Sequence, residues 1–185
     1  MGKDLESLER ALLVALAALL PACMSMTPAQ YMVSAESREV LRKYEGAKVR
    51  VARLAGPADF DAMCRGAGDV KAADGLSIPQ FIEKSFNDEF RFAGIHSNDG
   101  VELAGTVTRL AFSSTAGLVN GWWEIGVALR SGSGASVSVE VRHDFHSGFD
   151  GVTACNNTSQ ALGTAVQALV RKTISDPAFA ALVRR

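Results

Sequence analysis

The sequence predicts an α+β domain: a small, largely antiparallel sheet of about four strands, with two or three helices packed on one face. Three observations carry this. Period-two alternation recurs in four stretches, around Val49-Val51, over 101–112, through Trp123-Ile125-Val127-Leu129 and through Val137-Val139-Val141. A four-residue apolar repeat, Ile78-Ile82-Phe86-Phe90, marks a helix between the first and second stretches, and Leu162, Val166, Leu169 and Val170 mark another after the last. The final three strands follow one another without an intervening helix, which favours a meander over alternating βαβ units.

Taken in order, residues 35–44 read as a short helix with Val40, Leu41 and Tyr44 on one side. Lys48 to Leu54 alternates and reads as the first strand. Residues 56–76 hold Gly56, Pro57, Gly66, Gly68 and Gly75 and read as a long irregular connection. Ser77 is placed to cap the next helix, with Pro79 in its first turn, where a missing N–H costs little. Phe81, Phe86 and Phe90 lie along its apolar side. After the second strand, Ser113 to Gly121 reads as a longer loop of the length of a mobile binding loop. Ser131-Gly-Ser-Gly-Ala reads as a hairpin turn, which makes the last two strands antiparallel neighbours. Thr158 to Thr173 reads as the last long helix, and Asp176-Pro177 opens a short final one.

The region before this domain has a different character. Arg10 leads into an apolar run, Ala11 to Ala22, that ends at Cys23. Twelve residues are too few to span a bilayer as a helix, which takes about 20, and fit the apolar core of a secretory signal. Leu20, Pro21, Ala22 and Cys23 resemble the lipobox of bacterial lipoproteins. The acidic residues Asp4, Glu6 and Glu9 depart from the positive start usual in such signals. The resemblance implies cleavage after Ala22 and acylation of Cys23. With Met24 rather than Asp following the cysteine, it also implies the outer membrane of a Gram-negative cell. The expected organisation is a signal over 1–22, a tether and short helix over 23–45, and one periplasmic domain over 46–185. Several acyl chains on one cysteine suffice as an anchor, where a single chain binds only marginally.

Composition narrows the function classes. The 185 residues carry 19 Lys and Arg against 20 Asp and Glu. The leader holds Lys3 and Arg10 against its three acidic residues, so its loss leaves the chain balanced. That argues against nucleic-acid binding, which needs basic stripes, and against a polybasic grip on anionic lipid. Two cysteines remain beyond Cys23. In an oxidising compartment an even count suggests a bridge between Cys64 and Cys155; two buried thiols or a redox pair are the alternatives, and Cys-x-x-Cys is absent.

No catalytic motif stands out. His143 and His146 sit three apart on a strand, where period two sends them to opposite faces, and zinc needs a further ligand; no metal and no cofactor is expected. Ser-Gly-Ser-Gly at 131–134 is neither a nucleophile elbow nor a phosphate loop. Glu102, Glu124 and Glu140 mark solvent faces of strands. Of Trp122 and Trp123, adjacent on a strand, one belongs to the core and the other is partly exposed.

The order of elements, behind a lipobox, resembles the small YajG-type periplasmic lipoproteins, and the related lipopolysaccharide-assembly lipoprotein subunit and N-terminal domain of TolB. The likeness is of topology over residues 46–185, and no functional residue is carried by it. It implies a non-enzymatic accessory or binding subunit of an envelope assembly, with a membrane anchor and a protein partner. The expected contact surface is a sheet edge with Leu118, Val119 and Trp122. The alternative is a lipid or small-molecule carrier with a pocket between helix 78–91 and the sheet, lined by Phe81, Phe86 and Phe90; an envelope hydrolase is a third.

Overall fold

The computed structural model describes residues 26–184. The predicted signal and Cys23 lie outside these residues. Helix α1 (Ala35–Leu41) and a 3-10 turn (Arg42–Tyr44) lead into strand β1 (Val49–Ala55). Helix α2 (Ile78–Phe92) precedes three long strands, β2 (Val101–Ala116), β3 (Asn120–Ser131) and β4 (Ser136–His146). Helix α3 (Gly151–Ser175) and a last turn, α4 (Phe179–Leu182), close the chain. The sheet order is β1-β2-β3-β4, with β1 parallel to β2 and the other two ladders antiparallel. This is the expected α+β class, with one parallel pair because α2 makes the crossover from β1 to β2.

α2 forms as its caps dictate. The Ser77 side chain accepts from the Gln80 N–H, the Gln80 side chain accepts from the Ser77 N–H at 2.9 Å, and Pro79 sits in the first turn. α2 covers β1, and α3 lies across β3 and β4. Both stand on one face, so inward residues of the strands (Val51, Leu103, Trp123, Ile125, Val127, Val137) meet Ile82, Phe86, Phe90, Leu162, Val166 and Leu169 in one core.

Three boundaries differ from the sequence reading. α3 begins at Gly151, not Thr158, because the Asp150 carboxylate accepts from the Thr153 N–H at 2.9 Å and caps a start that Gly151 and Asn156-Asn157 disguise. Cys155 therefore lies inside the helix. β2 and β3 extend to Ala116 and Asn120, which reduces the expected mobile loop to a turn over residues 117–119.

Nor are residues 26–33 a free tether. Ala29 is fully buried and pairs with Ala72, exchanging Ala29 N–H to Lys71 O (2.9 Å) and Ala73 N–H to Ala29 O (3.0 Å). The segment then runs along α3 in the same direction. Asn156 takes the Thr27 N–H at 2.9 Å, Ser159 donates to Thr27 O at 2.8 Å, and Gln167 donates to Met32 O. Between them, Gly163 makes the close approach possible: a Cβ there would stand 2.1 Å from Gln30 O. Further on, the buried Glu89 carboxylate accepts from the Tyr31 hydroxyl (2.7 Å) and the Ser34 N–H (2.8 Å), both through Oε1, while Oε2 has no hydrogen-bond partner among the described residues. Burial raises the Glu89 pKa, against the opposing pull of those two donors.

Candidate contact surface

The two ends of the β1–β2 pair differ in how their edges are finished. Along β1, every backbone group named here has a partner outside the sheet. The Val49 N–H donates to Ile95 O (3.0 Å) and Val49 O accepts from Ser97 (3.2 Å). The Asn87 amide, projecting from α2, accepts from the Val51 N–H and donates to Val51 O, both at 2.9 Å. Glu83 accepts from the Leu54 N–H at 3.0 Å. α2 thus does for β1 what a further strand would do, and that edge is closed to strand addition.

β2 outruns β1. Their pairing stops at Ala55 and Thr106, and among the described residues no strand flanks β2 on that side from Val107 to Ala116. The connection after β1 runs beside this stretch instead and leaves a cleft of about 630 Å³ lined by Asp59, Phe60, Met63, Thr108, Leu110 and Phe112 among others. Its floor is aromatic. Phe112 packs on the buried Trp123 with ring centroids 4.8 Å apart, and Phe60 lies 6.2 Å from Phe112 and 6.5 Å from Trp123. The Trp123 indole N–H donates to Thr158 O at 2.9 Å, which fixes the ring.

Two devices hold the connection in place. A disulfide joins Cys64 to Cys155, with Cα atoms 5.8 Å apart. Next to it Arg65, at φ +47°, spreads its guanidinium over two other segments: Nε donates to the Ser114 hydroxyl (3.0 Å), one NH2 group to Phe149 O (3.1 Å), and the other to Ser114 O. A guanidinium is suited to this, having donors in a rigid fork.

The outer face of the sheet is polar and small. Glu124 on β3 accepts from Arg109 on β2 and Arg142 on β4, each at 2.8 Å, and Glu102 takes Arg50 and Arg53. Hydrogen bonds from these arginines hold both carboxyls below the usual carboxylate range. The Arg142 guanidinium lies 4.8 Å over the Trp122 ring. Trp122 is thus the half-exposed member of the pair and Trp123 the core member.

Leu118 and Val119 form the turn at one end of the sheet. Val119 N–H reaches back to Gly117 O at 2.9 Å, and Leu118 between them takes φ +72°, with its side chain 74% exposed. A bulky residue in that region is strained. Ser147 and Gly148, after β4, both donate to Val119 O. The structure thus brings Leu118 and Val119 near the end of the Phe112–Ser114 edge, while Trp122 belongs to the opposite face from Trp123. The sequence reading missed Arg65, Asn87 and Glu83, which act through backbone groups far away in sequence and leave no local pattern.

The pocket expected between α2 and the sheet is not formed by Phe81, Phe86 and Phe90. These rings fill the core, with Phe86–Phe90 and Phe90–Phe179 centroids both 6.2 Å apart. The apolar cleft on this side, about 560 Å³, lies at the N-terminal end of α2 between Pro28, Phe60, Val70, Leu76, Pro79 and Leu110. His143 pairs across from Trp123 and His146 from Asn120, on opposite faces of β4. Among the described residues no three His, Cys, Asp or Glu converge as metal ligands, and no helix is long and apolar enough to cross a membrane.

Neither a family model nor a curated protein matches this sequence. Solved structures do. A Xanthomonas campestris protein of the DUF330 family superposes with a TM-score of 0.52 at 17% identity, over 81% of this chain and 95% of that one. The α+β fold is shared with that protein. Lower scores are found for the PelC dodecamer of Paraburkholderia phytofirmans (0.40, 17% identity, 86% and 95% covered) and the rare lipoprotein B of Shewanella oneidensis (0.28, 12%, 71% and 88%).

Proposed function

We propose that this chain is a non-enzymatic envelope lipoprotein, held at the periplasmic face of the outer membrane through acylated Cys23, that serves as a binding subunit by receiving an extended segment of a partner protein along β2. One observation carries the binding role: among the described residues no strand flanks the β2 edge from Val107 to Ser113, beside a cleft with an aromatic floor, while Arg65 and Ser147 cap that edge at Ser114 O and Asn87 and Glu83 close the β1 edge. A segment laid there would gain main-chain hydrogen bonds from β2 and side-chain contacts from Phe60 and Phe112. Leu118 and Val119 lie beside the end of that edge, while Trp122, expected with them, faces away from it on the outer side of the sheet. The resemblance of residues 20–23 to a lipobox supports the anchor.

The test joins mass and position. Protein extracted from the membranes of a Gram-negative host is expected to begin at an acylated Cys23. A photoreactive residue in place of Asp59, exposed at the cleft, is expected to form one protein adduct in those cells, and the same residue in place of Ser138, on the outer face, none. Equal adducts at both positions, or none at Asp59, would overturn the assignment of the edge.

A carrier role has one observation in its favour, the apolar cleft between Pro28, Phe60 and Leu110. Co-purified lipid released from the extracted protein, and lost on Leu110→Arg, would favour that reading instead.

A further inference from the structure

The end of the molecule where β2 turns into β3 exposes four apolar side chains: Met63, Leu118, Phe149 and Val152. They come from three segments, the connection after β1, the β2–β3 turn and the run from the β4–α3 link into α3, and the Arg65 bonds, the disulfide and the Val119 carbonyl hold those segments together. Phe149 is 80% exposed although its backbone is pinned, its carbonyl taken by Arg65 and the preceding Gly148 N–H by Val119 O. Leu118 projects from a strained turn. Strain that presents an apolar side chain to solvent does nothing for the isolated fold.

The direction of the N-terminal segment says what meets this end. Its contacts advance along α3 in step: residue 27 with Asn156 and Ser159, residue 30 with Gly163, residue 32 with Gln167, Glu36 with Arg171. Followed backwards, the chain heads for the N-terminal end of α3. Val152 is four residues from Asn156 and so lies on the same side of that helix, one turn nearer its start. Cys23 is three residues from Met26, at most about 11 Å of extended chain.

We propose that this end is a membrane-docking surface, with Leu118 and Phe149 entering the lipid interface that holds the Cys23 anchor. The inference rests on the anchor reading. The short span between anchor and Met26 keeps the body within reach of the bilayer, and the two most exposed large apolar side chains among the described residues, Phe149 and Leu118, both stand at the end that faces it. The charged groups beside them, Asp61, Arg65 and Asp150, are of mixed sign and already engaged, so the contact is apolar and needs no anionic lipid.

The experiment uses the full acylated chain, reconstituted into vesicles of zwitterionic phosphatidylcholine with or without bromine on the acyl chains. Single Trp probes replace Phe149, Leu118 and, at the far end of β4, Ser136, read against the wild-type emission of Trp122 and Trp123. Flotation with the vesicles reports the anchor. The expected result is flotation of all variants, with loss of the added emission on brominated vesicles for F149W and L118W and none for S136W. Flotation with no loss at either position would overturn the docking surface and leave the anchor intact. Loss at S136W instead would overturn it by placing the opposite end on the lipid. Protection of F149W in native membranes but not in pure lipid would overturn it in favour of a protein partner. A chain that does not float, with an unacylated mass, would overturn the anchor and the docking surface together.

Discussion

Asn87→Ala tests the idea that α2 stands in for a strand. The Asn87 amide is 9% exposed and makes two 2.9 Å bonds to one residue, accepting from the Val51 N–H and donating to Val51 O. Val51 is itself buried, so alanine leaves a donor and an acceptor without partners, at about 1–3 kcal/mol each. Alanine returns roughly 0.5 kcal/mol through its better helix propensity. The net expected loss is about 3 kcal/mol, which lowers the melting temperature by about 6–12 °C in a domain of this size. Urea denaturation followed by far-UV circular dichroism reads it directly. Asp88→Ala is the control: its carboxylate pairs with Lys84 and Arg91 in solvent, and its loss should move the midpoint far less. An N87A midpoint no lower than that of D88A would refute the reasoning, since the amide would then be dispensable and the β1 edge would have to be satisfied by water.

Reducing the Cys64–Cys155 bridge, or replacing both cysteines by serine, frees a loop with a sequence separation of 91 and should cost up to about 4–5 kcal/mol on the chain-entropy argument; an unchanged denaturation midpoint in reductant would contradict it. Glu89→Gln should change the pH profile. Burial raises the Glu89 pKa in the folded state, so its favourable contribution is complete below the ordinary glutamate pKa and is lost as pH rises through the raised value. Glutamine keeps an oxygen for Tyr31 and Ser34 and carries no charge, so the variant should gain on the wild type between pH 4 and pH 8, values set around the ordinary glutamate pKa of about 4.3. A constant difference across that range would count against an ionisable, buried Glu89.

The sheet and helices were legible because burial on one face imposes periods of two and of about 3.6 that survive in the sequence. Ile78, Ile82, Phe86 and Phe90 announce α2, and Trp123 to Leu129 announces β3. The α3 start was hidden because its first turn owes its stability to the Asp150 cap and the disulfide rather than to an apolar stripe. The docking of 26–33 was invisible for a similar reason. It rests on Gly163 and on polar contacts from Asn156, Ser159 and Gln167, none of which marks a periodic pattern. Trp122 was singled out by expected exposure and Leu118 and Val119 by a loop read over 113–121, whereas the open β2 edge follows from the difference in length between β1 and β2. β1 stops at Ala55, before Gly56-Pro57, while β2 continues to Ala116 because β3 pairs with it, a matter of tertiary pairing.

The position of α3 has a consequence for the order of assembly. The segment at residues 27–36 is made early, yet the surface that receives it belongs to residues 156–171. Cys64 likewise waits for Cys155. A chain emerging from its N-terminus therefore carries an unfinished seam until most of it has appeared, and pairings of such long sequence separation form slowly. The N-terminal part of the body is the first to arrive and among the last to be seated.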